Sequence, residues 1–259
     1  LTKDYPNEPL LYNISGVCHK SIDQLDAAVE FFEKALAIKP DYTEVNYNLG
    51  LTLQELGQLD AAVECYEKVL TANPDYAEAH NNLGVALKEL NQLNAAVECY
   101  EKAIAIQPDY AEAHNNLGVT LKELDQLDAA VDCYKKALAV NPDNAEVNYN
   151  LGLTFQHLSQ LDAAVECYEK AIAIQPDYAD PYNNLGITFL ELSQLDAAVD
   201  CYEKAIAIQP DYAEAHYNLG NAFKKRGQLE DAVKSYENAL TIKPDYAEAH
   251  YNLGNSLKE

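Results

Sequence analysis

Positive charge is scarce in this sequence. In 259 residues, 18 Lys and Arg stand against 42 Asp and Glu, for a formal net charge of −24. A field of that sign repels nucleic acid and anionic membranes at long range. Beyond the short run Lys224-Lys225-Arg226 no Lys/Arg cluster interrupts it, so nucleic acid is not expected as a partner. A basic partner segment is the electrostatic expectation, although the charge also serves to keep an elongated surface in solution. Long apolar runs are missing too. None reaches the ~20 residues that span a bilayer, so no membrane insertion is expected. The opening LTKDYPNEPL has no basic segment followed by an apolar core and does not read as a signal peptide. Methionine is absent, including from position 1. A piece of a longer protein, with any targeting segment left behind, is therefore the expectation.

Chemical motifs are equally sparse. There is no C-x-x-C pair, no G-x-G-x-x-G, no phosphate loop and no H-E-x-x-H. His80 and His114, like His216 and His250, are one period apart with no Cys or carboxylate partner at ligand spacing, so they read as helix-interface residues. Glutamates are plentiful, but a catalytic pair needs a cleft and divergent environments, and nothing singles one out. Asn13-Ile14-Ser15 matches the glycosylation triplet, but a helical setting argues against its use. No cofactor, metal site or catalytic residue is expected. Six cysteines are present. Cys65, Cys99, Cys133, Cys167 and Cys201 recur every 34 residues, with Cys18 outside the series. Equivalent positions in stacked helix pairs lie too far apart to bridge. They read as small apolar fillers, and free thiols favour a reducing compartment such as the cytoplasm.

What the sequence does have is self-similarity. HNNLGV at 80–85 returns at 114–119, and QPDYAEAH at 107–114 returns at 209–216. Phased on Leu-Gly, full repeats fall at 9–42, 43–76, 77–110, 111–144, 145–178, 179–212 and 213–246. A half repeat follows at 247–259, and residues 1–8 form a flank. Each repeat reads as two helices. In 77–110, Ala79, Leu83, Leu87 and Leu90 form one stripe, and Leu93, Ala96, Val97, Tyr100, Ala103 and Ile104 form a second. Neither helix is long enough to stand alone in water, so each must bury its stripe against neighbours.

Local signals bound the helices. Asp75, Asp109, Asp143, Asp211 and Asp245 each precede a Glu by three residues, which predicts a capping box at the first helices. Asp125, Ser159 and Ser193 are the expected caps of the second helices. Pro74, Pro108, Pro142, Pro176, Pro210 and Pro244 stop the preceding helix. At Pro181 a distorted first turn is expected. Gly50, Gly84, Gly118, Gly152, Gly186, Gly220 and Gly254 sit mid-helix, where glycine costs about 1 kcal/mol relative to alanine. They predict a close helix contact, with Ala62, Ala96, Ala130, Ala164, Ala198 and Ala232 as partners.

Asn116-Leu117-Gly118, Ala130, Tyr134, Ala137 and Pro142 resemble the tetratricopeptide signature, and the pattern covers 9–259. The resemblance implies an all-α fold, a right-handed superhelix of antiparallel helix pairs whose first helices line an inner groove that binds peptides or unfolded segments.

One stripe of the first helix is free of the core pattern. It holds Glu78, Asn81/Asn82, Val85 and Lys88/Glu89, then Glu112, Asn115/Asn116, Val119 and Lys122/Glu123. Next come Glu146, Tyr149/Asn150, Leu153 and Gln156/His157, and then Asp180, Asn183/Asn184, Ile187 and Leu190/Glu191. Asparagine is an indifferent helix former, yet Asn48, Asn82, Asn116, Asn150, Asn184, Asn218 and Asn252 place one in every first helix after the divergent 9–42. Two readings stand together: the amides bind an extended peptide backbone, or they tie each helix to the next. Leu51, Val85, Val119, Leu153 and Ile187 form either an exposed apolar track or a buried seam. The ladder resembles the tetratricopeptide superhelix of O-linked N-acetylglucosamine transferases, which implies asparagines that contact substrate backbone. A carboxylate clamp of the cochaperone kind needs basic positions in several first helices, and here Lys88 and Lys122 are a partial basis only, beside acidic Glu78, Glu112 and Glu146. The expected function is a peptide- or protein-binding scaffold. The alternatives are the substrate-recruiting part of a larger glycosyltransferase, or a self-associating module. Because the sequence stops inside a first helix, truncation or an end-to-end contact is expected there.

Overall fold

The computed structural model describes residues 7–258, and every regular element among them is an α-helix. Most of the 1–8 flank, and Glu259, lie outside the described residues. The chain divides into two compact units, Leu1–Val140 and Asn141–Glu259. In the first unit, the first helices α1 (Pro9–Ser21), α3 (Thr43–Glu55), α5 (Ala77–Glu89) and α7 (Ala111–Glu123) alternate with the second helices α2 (Leu25–Ile38), α4 (Leu59–Ala72), α6 (Leu93–Ile106) and α8 (Leu127–Val140). In the second unit, α9 (Ala145–His157), α11 (Ala179–Glu191), α13 (Ala213–Lys225) and α15 (Ala247–Ser256) alternate with α10 (Leu161–Ile174), α12 (Leu195–Ile208) and α14 (Leu229–Ile242). Within each unit every helix packs on its sequence neighbours, and first helices also touch in series, α1–α3–α5–α7 in one and α9–α11–α13 in the other.

The close contact predicted at the mid-helix glycines exists at six of the seven, with a different partner, and fails at Gly254, where an added Cβ meets nothing within 4 Å. A Cβ added at Gly50, Gly84, Gly118, Gly152, Gly186 or Gly220 would lie 2.6–2.8 Å from the ring of Tyr66, Tyr100, Tyr134, Tyr168, Tyr202 or Tyr236 respectively. The expected alanines sit one helical turn earlier. They are fully buried, but the tyrosine ring fills the space that glycine leaves. In α1 the same place is taken by Gly16 against Phe32. All six tyrosines are fully buried. Cys65, Cys99, Cys133, Cys167 and Cys201 are buried beside them outside any disulfide, while Cys18 is exposed.

Two capping expectations are corrected. The N-caps of α5, α7, α11, α13 and α15 are Tyr76, Tyr110, Tyr178, Tyr212 and Tyr246, and none makes a side-chain cap bond. The aspartates fall one residue too early to reach the free amides of the first turn. The acids three residues on still lie within that turn, where the helix dipole favours them. Among the described residues, only at α9 does a side chain cap a first helix, and there it is Asn144, whose Oδ1 accepts from the Val147 amide at 3.0 Å. Asp125, Ser159 and Ser193 are not caps of second helices. They have φ of 58°, 58° and 62° and end the first helices in left-handed turns. At Asp125 the bonds run from its amide to the Lys122 carbonyl (3.0 Å) and from the Gln126 amide to the Leu121 carbonyl (2.8 Å), the pairing of a Schellman motif. Gly57 and Gly227 occupy the same place with φ of 71° and 77°. Pro181 distorts nothing: α11 has the same 13 residues as its neighbours, because an amide in the first turn has no intrahelical partner to lose.

Candidate functional site

The stripe singled out from the sequence forms one face of each unit, because first helices contact first helices. The amides of the asparagine column are partly spent on that contact. Asn48 donates to Asn13 Oδ1 (3.2 Å), Asn82 to the Tyr47 hydroxyl (2.9 Å) and Asn116 to Asn81 Oδ1 (3.0 Å) in the first unit. In the second unit Asn184 donates to the Tyr149 hydroxyl (2.9 Å), Asn218 to Asn183 Oδ1 (3.0 Å) and Asn252 to the Tyr217 hydroxyl (3.0 Å). The acceptor is always the residue just before the ladder position in the preceding first helix. Each tie uses one of the two amide hydrogens; Asn184 spends a second donor bond on the Asp180 carbonyl (3.2 Å) and Asn252 on Asn221 Oδ1 (3.0 Å). All seven ladder asparagines, Asn150 included, remain half-buried. The Oδ1 atoms of Asn116, Asn184 and Asn218 accept no hydrogen bond among the described residues.

The residues before the ladder differ in burial. Asn81 and Asn183 are buried, and Asn81 also donates to Glu112 Oε1 (3.1 Å), while Asn115 is half-buried. Val85, Val119, Leu153 and Ile187 are all half-buried. Leu153 and Ile187 each pack one side against a core cluster, so track and seam are two sides of the same residues. Lys88 is paired with Glu123 Oε1 at 3.2 Å across α5 and α7. Burial pushes the Lys122 ammonium down from its ordinary value. Lys88 is therefore already neutralised by a carboxylate of its own chain. Three histidines are buried interface residues: ring nitrogens of His80, His114 and His216 bond the carbonyls of Pro74, Pro108 and Pro210 at 2.9, 3.0 and 3.0 Å, whereas His250 makes the same bond to Pro244 at 2.9 Å but is exposed.

Sequence reasoning missed a second column on this face, the half-buried tyrosines at the N-caps. Tyr76 packs on Tyr47 with ring centroids 5.0 Å apart, Tyr178 on Tyr149 at 5.3 Å and Tyr246 on Tyr217 at 4.9 Å. The Tyr212 hydroxyl donates to Asp180 Oδ1 at 2.7 Å. The local field here is negative. Burial first, then Tyr149, Asp180 and Glu146, push the Tyr178 phenol up to about 12. Burial, Glu112 and Glu78 raise Tyr110 in the same way. The available signal was the recurring Pro-Asp-Tyr or Pro-Asp-Asn, at fixed phase, within a chain of 19 tyrosines.

The second helices carry their own feature. Two equivalent clefts, 68 residues apart in sequence, lie between consecutive second helices. One, of about 500 Å³, is floored by Leu117, Leu121 and Cys133, and the other, of about 350 Å³, by Leu185, Phe189 and Cys201. Burial holds the Cys201 thiol up at about 11 and raises Cys133, so these thiols are poor nucleophiles.

Comparison with known families gives a consistent result. A family model described as TPR repeat matches the chain seven times in succession, at residues 21–57, 53–91, 86–125, 120–159, 157–193, 188–225 and 220–259. No curated protein matches the chain. Among solved structures, it resembles YrrB, described as a TPR protein with an unusual peptide-binding site, at 24% identity and a TM-score of 0.62, covering 73% of this chain and 97% of that one. It resembles MamA at 28% identity and a TM-score of 0.60, covering 64% and 97%. It also resembles PilF of Pseudomonas aeruginosa at 20% identity and a TM-score of 0.72, covering 82% and 97%. No helix among the described residues is long and apolar enough to cross a membrane.

Proposed function

The chain belongs to the tetratricopeptide repeat family, and from that premise we propose that it is a binding scaffold whose first-helix faces hold an extended segment of a partner protein. The observation that carries this reading is the spare bonding capacity of a half-exposed amide column. Asn116 and Asn218 each keep one amide hydrogen and a carbonyl oxygen unused after the tie to the preceding helix is made, and Asn184, whose amide also donates to the Asp180 carbonyl at 3.2 Å, keeps its carbonyl oxygen. An extended backbone offers donors and acceptors at regular intervals and can bond such a column without regard to side chain. The half-buried aliphatic residues beside the amides supply apolar contact. No catalytic step is assigned to the chain.

The test uses the whole chain and an arginine-containing extended peptide, titrated calorimetrically at two salt concentrations. A neutral hydrogen bond contributes about 0.5–1.5 kcal/mol, so the pair Asn82→Ala and Asn116→Ala is expected to weaken binding about tenfold. Melting curves of the same variant separate this from loss of the inter-helix ties. Wild-type affinity in a folded double variant removes the amides from the binding face.

A further inference from the structure

The tyrosine column sits at one turn that repeats with little change in backbone and with one change in side chain. Three residues before each N-cap tyrosine, the chain leaves the second helix. In five turns the carbonyl there accepts the tyrosine amide, at 3.2 Å for Lys39–Tyr42, 3.1 Å for Gln107–Tyr110, 3.2 Å for Gln175–Tyr178, 3.1 Å for Gln209–Tyr212 and 3.2 Å for Lys243–Tyr246. The dihedrals also agree: φ and ψ are −133° and 88° at Lys39, −127° and 91° at Gln107, −130° and 89° at Gln175, −125° and 91° at Gln209, and −125° and 88° at Lys243. Where the side chain is lysine, it folds over the tyrosine. Lys39 Nζ lies 4.7 Å from the Tyr42 ring centroid, and Lys243 Nζ lies 4.9 Å from that of Tyr246. Lys243 Nζ is also 3.6 Å from Glu214 Oε1, the first-turn carboxylate of the preceding first helix.

This last arrangement is a cation site with its cation present. A ring face attracts an ammonium or guanidinium through its quadrupole, and a carboxylate alongside completes the neutralisation. The glutamine turns keep the aromatic face and the acids but lack the cation. Tyr110 feels Glu112 and Glu78, Tyr178 feels Asp180 and Glu146, and Tyr212 feels Asp180 and Glu214. From this juxtaposition we infer that Tyr110 with Glu78 and Glu112, and Tyr178 and Tyr212 with Asp180, are receptor sites for lysine or arginine side chains of the bound partner segment. The inference rests on the proposed peptide-binding role of the first-helix faces and adds the side-chain class that they select. Lys39 and Lys243 act as built-in occupants at their own turns. Neighbouring packed helices stand roughly 8–10 Å apart, and an extended chain advances about 3.3 Å per residue. Basic residues at every third position of the partner therefore match successive sites within a unit.

The experiment compares an extended peptide bearing arginine at every third position with its citrulline counterpart, which keeps the planar shape but loses the charge and exchanges one NH2 donor group for a carbonyl oxygen. Both are titrated into the full chain, into the double variant Gln175→Lys/Gln209→Lys, and into the control Ala207→Lys/Thr241→Lys. The first variant supplies internal cations at two receptor turns. The control adds the same charge at exposed positions of second helices. The arginine peptide is expected to bind wild type about tenfold more tightly than the citrulline peptide. The glutamine-to-lysine variant is expected to lose most of that preference while still binding the citrulline peptide, and the control to keep it. If both variants weaken the arginine peptide equally, the attraction is the overall charge and the receptor sites are refuted. Equal affinity of the two peptides for wild type refutes the sites alone. Failure of both peptides to bind refutes the binding face together with them.

Discussion

A tyrosine hydroxyl at the same place in each repeat meets a different neighbour, which makes the residue scale testable. Tyr168 donates to Gln156 Oε1 at 2.9 Å, whereas the buried Tyr202 hydroxyl has no partner among the described residues, because Leu190 stands where Gln156 does one repeat earlier. Tyr168→Phe is expected to cost about 1 kcal/mol in urea denaturation, and Tyr202→Phe to be neutral or stabilising. The glycines give a second contrast. In Gly118→Ala the new Cβ falls 2.7 Å from Cε1 of the fully buried Tyr134. Overpacking of about 1–3 kcal/mol should outweigh alanine's better helix propensity of about 1 kcal/mol. Gly254→Ala meets nothing within 4 Å and should stabilise α15 by up to about 1 kcal/mol.

At the scale of elements, helix ends carry the testable chemistry. Ser159 and Ser193 hold positive φ in the turns where Gly57 and Gly227 stand elsewhere. A left-handed conformation costs a non-glycine residue about 1–2 kcal/mol, so Ser159→Gly and Ser193→Gly should each raise the melting temperature. Asn144→Ala should cost about 1 kcal/mol through the lost cap, while Asp75→Ala should stay within about 0.5 kcal/mol. The helix pairs and their proline stops were legible in the sequence, because a stripe of Leu and Ala at helical spacing has few other uses. The cap phase was not. Asp75 and Glu78 satisfy the local rule, but Tyr76 takes the N-cap through its packing on Tyr47, a contact 29 residues away that no local pattern contains. The glycine partner was misassigned for a related reason: alanine and tyrosine share a helix face, and only packing decides which of them fills the gap.

For the whole molecule, its acidic and aromatic character sets the response to alkali. Burial, with nearby tyrosines and carboxylates, holds the phenols of Tyr47, Tyr149, Tyr178 and Tyr246 up at about 12, against an ordinary value of 10.0. A phenol raised in the folded state keeps its proton after the unfolded chain has lost its own. Unfolding then releases protons, so the stability present below pH 10 declines as the pH rises towards about 12. Melting temperature across that interval, followed together with phenolate absorbance, should fall as the buried tyrosines ionise. Of the candidate site, the asparagine column was readable, since a poor helix former in every first helix asks for a reason. The tyrosine column was not, because Pro-Asp-Tyr reads locally as a turn, and acids such as Glu78 near Tyr110 and Asp180 at Tyr212 come from the preceding first helix. The measurement that bears most directly on the binding face is nuclear magnetic resonance of the asparagine side-chain amides during titration with the arginine peptide. The predicted result is saturable shifts at Asn82, Asn116, Asn184 and Asn218, with Asn94 and Asn238 on second helices unmoved. Shifts confined to Asn94 and Asn238, or none at the ladder while the peptide binds, would contradict the account.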